Sequence, residues 1–265
     1  MSLVNWESLD ELPLLAVGIS QQTQYRLPFT GELAGRTLTL VDGDGDGRAY
    51  YFEDAHTVRT DGIGAGSYDA TVIRDGIYLV DMMWERSSHP DAVPGLPVNE
   101  TWALDLTSGR VTATTSFVRE RTDGQWWVRS VDRHMWLADG PRAGRHEPSS
   151  GLAGKRVIWQ YSDTDRYDHV YLNAHNFAWQ CVSGVEAGLT ELDRTRTYEV
   201  ADGLYFFGWS EHVQPVESML FVDLRELRTS GRMFGWEART GEILHHQFSA
   251  RGALLNVTTY PEPFA

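Results

Sequence analysis

The chain carries one pattern twice, and this repetition constrains the fold more than any other feature of the sequence. Five landmarks of the first half return in the same order about 120 residues later. The pairs are Leu33-Ala34-Gly35-Arg36 with Leu152-Ala153-Gly154-Lys155, Tyr51 with Tyr171, Asp75-Gly76-Ile77-Tyr78 with Asp202-Gly203-Leu204-Tyr205, Ala103-Leu104-Asp105-Leu106 with Phe221-Val222-Asp223-Leu224, and Ser108-Gly109-Arg110 with Ser230-Gly231-Arg232. The pattern indicates a tandem duplication of a unit of about 110 to 120 residues.

Each unit consists of short apolar or alternating runs that are separated by Gly, Asp and Asn. Ile77 to Met83 and Val111 to Phe117 are typical runs, and no helical periodicity lies between them. This pattern is typical of antiparallel β structure, and closure into a small barrel would remove exposed sheet edges. We therefore predict an all-β protein of two tandem calycin-like (lipocalin-like) antiparallel barrels. The predicted divisions are a lead-in (1–30), a first barrel (31–138), a polar linker (139–150) and a second barrel (151–265).

Composition narrows the partners and the compartment. The net charge of −14 argues against nucleic acid and anionic membranes as partners. No apolar run is long enough to span a bilayer, and the first residues lack the basic and apolar regions of a signal peptide. The lone Cys181 fits a reducing cytoplasm, which is the predicted location. Aromatic residues make up 12 % of the chain, which favours a ring-lined interior and a small hydrophobic or aromatic ligand. The oligomeric state stays open.

One strand of the second unit combines large rings with a carboxylate. After the turn residues Asp202-Gly203, alternation would place Tyr205, Phe207, Trp209 and Glu211 on one face. A carboxyl group against aromatic carbon is poorly solvated when charged, so its pKa rises and it can act as a general acid. The alternative is a strand whose last residue simply reaches solvent.

The duplicated pattern resembles the MoaF family (molybdenum cofactor biosynthesis protein F), whose tandem N- and C-terminal domains would span nearly the whole chain. The second half is also similar, more distantly, to phenolic acid decarboxylase, a cofactor-free calycin barrel. That similarity rests on Gly154 to Tyr161, Tyr171, Gly203-Leu204-Tyr205, Trp209-Ser210-Glu211 and Phe221 to Leu224. It implies that Glu211 is a proton donor. It also places Trp159 and Tyr161 where two tyrosines bind the polar end of the substrate.

The sequence departs from the decarboxylase pattern at several places. Leu189 stands where that family has an arginine. In the first unit, Leu40 and Asp42 stand at the tyrosine positions, and an ungapped overlay puts Trp84, not Glu85, opposite Glu211. The acid-containing site is therefore expected in the second barrel only.

Other motifs offer little cofactor or metal chemistry. Asp42, Asp44, Asp46 and Glu53 match the spacing of a calcium loop, but the flanking residues read as strands, so an acidic hairpin tip is the competing interpretation. The histidines show no zinc-ligand spacing, and no phosphate loop or dinucleotide fingerprint occurs. We expect no cofactor and no metal, and no residue pattern points to molybdenum cofactor chemistry.

Two function hypotheses follow. The first is a cofactor-independent lyase or isomerase, in which Glu211 transfers a proton and Tyr161 hydrogen-bonds an oxygen of a small aromatic or hydrophobic substrate. The second is a non-catalytic, lipocalin-like binding protein. A third, weaker interpretation is that one barrel is structural and the pair forms a dimerisation scaffold. Under the first two, the ligand would contact a set of aromatic residues: Trp159, His169, Tyr171, Tyr205, Phe207 and Trp209.

Overall fold

The structure is a computed structural model and describes residues 13–14, 24–85, 89–141 and 144–259. These residues form seventeen β-strands and no α-helix, so the prediction of an all-β protein is confirmed. No helix in the described part of the chain is long and apolar enough to cross a membrane. The chain divides into two compact units, one of Leu27–Glu147 with Phe234–Ile243 and one that comprises Pro148–Met233 and the described residues from Leu244 onward, together with 24–26.

The first unit is a closed barrel in which each strand pairs with its neighbour in sequence and β1 pairs with β8. All of the sequential pairings are antiparallel. The strands are β1 (Thr37–Val41), β2 (Gly47–Phe52), β3 (Thr57–Thr60), β4 (Gly64–Arg74), β5 (Ile77–Trp84), β6 (Val98–Asp105), β7 (Arg110–Glu120) and β8 (Trp126–Leu137).

The side chains that point inward at every second position of the strands form the core of the first barrel. Tyr78, Val80, Met82 and Trp84 of β5 all belong to one buried cluster, as two-residue periodicity requires. The hairpin before β5 turns at Gly76, whose φ of 71° suits glycine. The strand β3 could not be recognised in the sequence, because its four residues include a single apolar side chain, Val58.

The second unit begins with the short strand β9 (Glu147–Pro148) and forms the other barrel. Its eight further strands pair in sequence, β10 pairs with β17, and pairing of β12 with β13 completes the ring. They are β10 (Lys155–Gln160), β11 (Arg166–Tyr171), β12 (Asn176–Ser183), β13 (Thr190–Ala201), β14 (Leu204–Ser210), β15 (Val216–Asp223), β16 (Arg228–Glu237) and β17 (Glu242–Val257). The prediction of two antiparallel barrels is confirmed.

The predicted linker contains ordered structure. Within 139–150, β9 pairs with β13, and the Ser149 amide donates a 2.9 Å hydrogen bond to the carbonyl oxygen of Thr197. His146 is buried and its Nδ1 lies 2.9 Å from the Thr112 hydroxyl. Most of the predicted lead-in lies outside the described residues, although Phe29 forms a β-bridge with Thr71.

Candidate functional site

A pocket opens inside the second barrel. Its walls combine aromatic rings with two carboxyl side chains, and Tyr161 meets Tyr167 edge-to-face with ring centroids 5.4 Å apart. The cavity volume is about 40 Å³. This space holds a few waters, so a larger ligand requires flexible wall residues such as Met233 to move. The lining residues are Tyr161, Tyr167, His169, Trp179, Glu186, Leu189, Trp209, Glu211, Gln214, Met233 and Phe248.

Glu211 reaches this pocket from the end of β14. Trp209 precedes it by two residues and lines the same pocket, as the alternation predicted. The Glu211 amide donates to the carbonyl oxygen of Val216 over 3.0 Å, which ties the residue to the start of β15. Part of the residue reaches solvent, while its carboxyl group faces the cavity.

Burial raises the pKa of Glu211 well above its usual value of 4.5. The nearby carboxyl groups of Glu191, Asp193 and Glu186 raise this pKa further, because like charges disfavour ionisation. The Trp209 indole acts weakly in the opposite direction. A carboxyl group in this setting keeps its proton to a higher pH than a solvated one and can donate it to a bound molecule.

This pKa shift predicts a stabilising substitution. A native state that holds a proton the unfolded chain releases loses stability as pH rises above 4.5. We expect Glu211→Gln to raise the free energy of unfolding at pH 7 by about 1–3 kcal/mol, since one pKa unit corresponds to about 1.4 kcal/mol. The gain should vanish below pH 4.5, and urea denaturation across pH measures it. The exposed Glu242→Gln serves as the control, and an equal gain in that variant would contradict the prediction.

The neighbouring acids were not predicted from the sequence. Glu186 accepts a 2.6 Å hydrogen bond from the hydroxyl of Tyr167, and burial raises the pKa of Glu186. Asp193 Oδ2 accepts a 2.8 Å hydrogen bond from the Trp179 indole, and Asp193 Oδ1 lies 3.1 Å from His212 Nδ1. Burial followed by repulsion from Asp193 raises the pKa of Glu191 to about 6. The pocket therefore adjoins several carboxyl groups that compete for few protons.

One side-chain group here has the composition of a metal site. Glu191, Asp193 and His212 each offer a ligand atom within 4.8 Å of the others, and among the described residues they are the group with this property. Their oxygens already have hydrogen-bond donors, including the His212 amide and the Val213 amide on Glu191. The group is accounted for by these contacts and does not require an ion.

The predicted aromatic residues separate into two sets. His169 and Trp209 line the pocket, with ring centroids 6.0 Å apart. The other four belong to the buried cluster of the same barrel but do not line the pocket; they are Trp159, Tyr171, Tyr205 and Phe207. A role for these four in ligand binding stays a prediction.

Tyr161 follows β10 and lines the pocket with its ring 3 % exposed. Burial raises the pKa of its hydroxyl, so the group stays neutral and can donate a hydrogen bond. None of the described residues forms a hydrogen bond with this hydroxyl, which leaves it available to a ligand oxygen.

His169 is a neutral wall residue. Burial lowers its pKa to about 3, and its Nδ1 has no hydrogen-bond partner among the described groups. Below pH 6.5 the unfolded chain binds a proton that the folded state refuses, so stability falls as the solution becomes more acidic. We expect wild type to lose about 2 kcal/mol more than His169→Phe between pH 7 and pH 5. Chemical denaturation at both pH values checks this, and parallel losses would refute it.

The predicted calcium ligands do not gather at one point. Asp42, Asp44 and Asp46 lie in the hairpin between β1 and β2, where Asp42 Oδ1 accepts 3.0 Å hydrogen bonds from the amides of Asp44 and Asp46. Glu53 lies beyond the far end of β2 and pairs with Arg59 over 3.1 Å. The segment is a hairpin between two strands, as its flanking sequence suggested.

Comparisons with known proteins identify the family. Residues 4–120 match the model of the MoaF N-terminal domain, and residues 146–258 match that of the MoaF C-terminal domain. The chain is 30 % identical over 244 residues to "Protein MoaF" of Klebsiella aerogenes, covering 86 % of this chain and 88 % of that protein. The chain is also similar to a solved structure from Burkholderia vietnamiensis that is named "putative beta-lactamase". The two are 18 % identical with a TM-score of 0.33, over 40 % of this chain and 96 % of that one. The chain belongs to the MoaF family, with an N-terminal and a C-terminal domain of that family in tandem.

Proposed function

We propose that the second barrel is a cofactor-independent acid–base catalyst, a lyase or isomerase that acts on a small aromatic or otherwise hydrophobic molecule. The observation that carries this proposal is the raised pKa of Glu211 at an aromatic pocket. A proton held at neutral pH in such a pocket can be delivered to an electron-rich double bond, which is difficult in bulk water.

In the proposed reaction, Tyr161 donates a hydrogen bond to a phenol or carbonyl oxygen of the substrate. Glu211 then transfers its proton to carbon, and the resulting carboxylate is stabilised by the Trp209 indole, which already favours the charged form. In an isomerase the carboxylate takes back a proton from a different carbon. In a lyase the protonated substrate releases an electron-poor group, whose bonding pair stays behind and restores the double bond, and water at the exposed part of Glu211 supplies the carboxylate with a new proton.

The charge of the pocket favours an uncharged substrate. None of the residues that line it is Lys or Arg, and Leu189, which stands where the decarboxylase family has an arginine, is part of the wall. Glu186 and Glu211 line the same space, so an anionic ligand would meet carboxyl groups without a counter-ion. Vinylphenol-like molecules and aromatic aldehydes fit this pocket better than phenolic acids.

The test is a ligand panel with paired binding and turnover measurements. Trp179 and Trp209 line the pocket, so tryptophan fluorescence should report binding of vinylphenols, aromatic aldehydes, hydroxycinnamates and fatty acids. Binding by both wild type and Glu211→Gln, with an absorbance change over time in wild type alone, supports the catalyst. Tight binding by both proteins without reaction would replace it with the lipocalin-like carrier.

A further inference from the structure

The first barrel contains a cavity of its own, and it is much larger than the pocket of the second barrel. The cavity volume is about 520 Å³, which is within the range of sites for small organic molecules. Its apolar wall includes Leu40, Ile63, Trp84, Val98 and Met135.

Two guanidinium groups line this cavity. Arg48 lies on β2 two residues before the core residue Tyr50, and Arg133 lies on β8 two residues before the core residue Met135. Since alternate residues of a strand share a face, both side chains start toward the interior. Neither arginine lies within 4.0 Å of a carboxylate oxygen among the described residues, although the charge of Arg48 lowers the pKa of Glu100. Two guanidinium groups at one cavity, neither of them in a salt bridge, can bind an anion.

Other polar side chains, those of Tyr50, Trp84 and Glu100, line the same cavity as the arginines. Glu100 Oε1 accepts hydrogen bonds from the hydroxyl of Tyr50 (3.1 Å) and the indole of Trp102 (2.8 Å). Burial raises the pKa of Glu100, while the hydrogen bonds from Trp102 and Tyr50 and the charge of Arg48 act in the opposite direction. Trp84 is 2 % exposed and lines the cavity, and its indole lies close enough to Glu100 to lower the pKa of that acid.

The rim limits the charge of the ligand. Asp42, Asp44 and Asp46 of the β1–β2 hairpin also line the cavity. Their carboxylates would repel a dianion such as phosphate more strongly than a monoanion. The apolar wall, in turn, suits a hydrocarbon body attached to the charged group.

We infer that the first barrel is a second ligand site, which binds a small monocarboxylate with an apolar or aromatic body. Arg48 and Arg133 hold the carboxylate, and the apolar wall contacts the body of the ligand. This site differs from the pocket of the second barrel in position, in size and in having two arginines in its lining. It does not depend on the catalytic proposal.

Calorimetric titration of the full chain with benzoate, phenylacetate and octanoate tests the site, with benzamide and inorganic phosphate as comparison ligands. We expect a carboxylate to bind at one site, with benzamide and phosphate weaker by about tenfold or more. Arg48→Met and Arg133→Met should each weaken carboxylate binding by about ten- to a hundredfold. Arg59→Met removes an arginine that pairs with Glu53 outside the cavity and should bind as wild type does. Glu211→Gln should also bind as wild type does.

Three results would overturn the inference: no binding of any carboxylate to wild type, equal binding of benzoate and benzamide, or unchanged affinity in both arginine variants. Tighter binding of phosphate than of benzoate would overturn the assignment to carboxylates. Thermal melting of each variant guards against misfolding. Since Arg133 is the more exposed of the two arginines, Arg133→Met provides the result if Arg48→Met does not fold.

Discussion

Glu211→Gln is expected to lower turnover of a substrate of the second barrel by about 10²- to 10⁴-fold, the usual contribution of a positioned general acid. Gln has nearly the same shape, so the aromatic wall that binds the substrate stays in place, while the transferable proton is lost. The Michaelis constant should therefore change little and kcat should fall. Steady-state kinetics on the best ligand of the panel measures both constants.

The pH profile sharpens this prediction. Activity in wild type needs protonated Glu211, so the rate should fall as pH rises through its raised pKa. Glu242→Gln removes an exposed carboxylate from the start of β17 and should leave kcat unchanged. A fall of less than threefold in Glu211→Gln, or an equal fall in Glu242→Gln, would show that Glu211 is not the acid.

Glu217→Met is expected to lower the free energy of unfolding by about 3–5 kcal/mol, the cost of removing one partner of a buried ion pair. Glu217 and Arg232 are both fully buried, and Arg232 Nη2 lies 3.2 Å from Glu217 Oε2. Arg196 also pairs with Glu217. Without this carboxylate, two guanidinium groups lose their shared counter-ion. Urea denaturation at pH 7 measures the loss.

The double variant Glu217→Met/Arg232→Met isolates the pair. A buried charge without its partner is costly, whereas apolar groups of similar size can fill the same space. The double variant should therefore lose less stability than the sum of the two single variants, by about 1–3 kcal/mol. Strict additivity, or a single-variant loss below 1 kcal/mol, would mean that the pair does not contribute in this way.

The sequence was informative where structure follows from neighbouring residues. The Asp-Gly turns and two-residue alternation predicted β5 and β14, and they placed Trp209 and Glu211 on one face. The duplication predicted two barrels because each copy has enough strands to close on itself.

Contacts set by barrel closure could not be predicted in this way. Glu186 comes from the connection between β12 and β13, and Glu191 and Asp193 come from β13. These acids approach Glu211 because β13 pairs with β14 on one side and with β12 on the other. The spacing of these residues along the chain does not predict which strands pair to close the barrel.

The first barrel shows a second limit of sequence comparison. Trp84 stands at the position that matches Glu211, and Glu85 is exposed, so the overlay suggested a barrel without a buried acid. A buried acid that lines the cavity, Glu100, lies on the neighbouring strand β6 opposite Met82. A position-by-position overlay of the two halves cannot find a functional group that lies on a different strand.

Proton transfer to carbon in the second barrel is tested most directly by isotope incorporation. Wild type and Glu211→Gln would be incubated in D₂O with the ligands that bind, and the ligands would be followed by proton NMR. The proposal predicts deuterium at a carbon of the substrate or product with wild type, at a rate at least about a hundredfold lower with Glu211→Gln. Saturated binding that Arg48→Met and Arg133→Met leave unchanged, without deuterium at any carbon, would contradict the proposal and would leave the second barrel as a carrier.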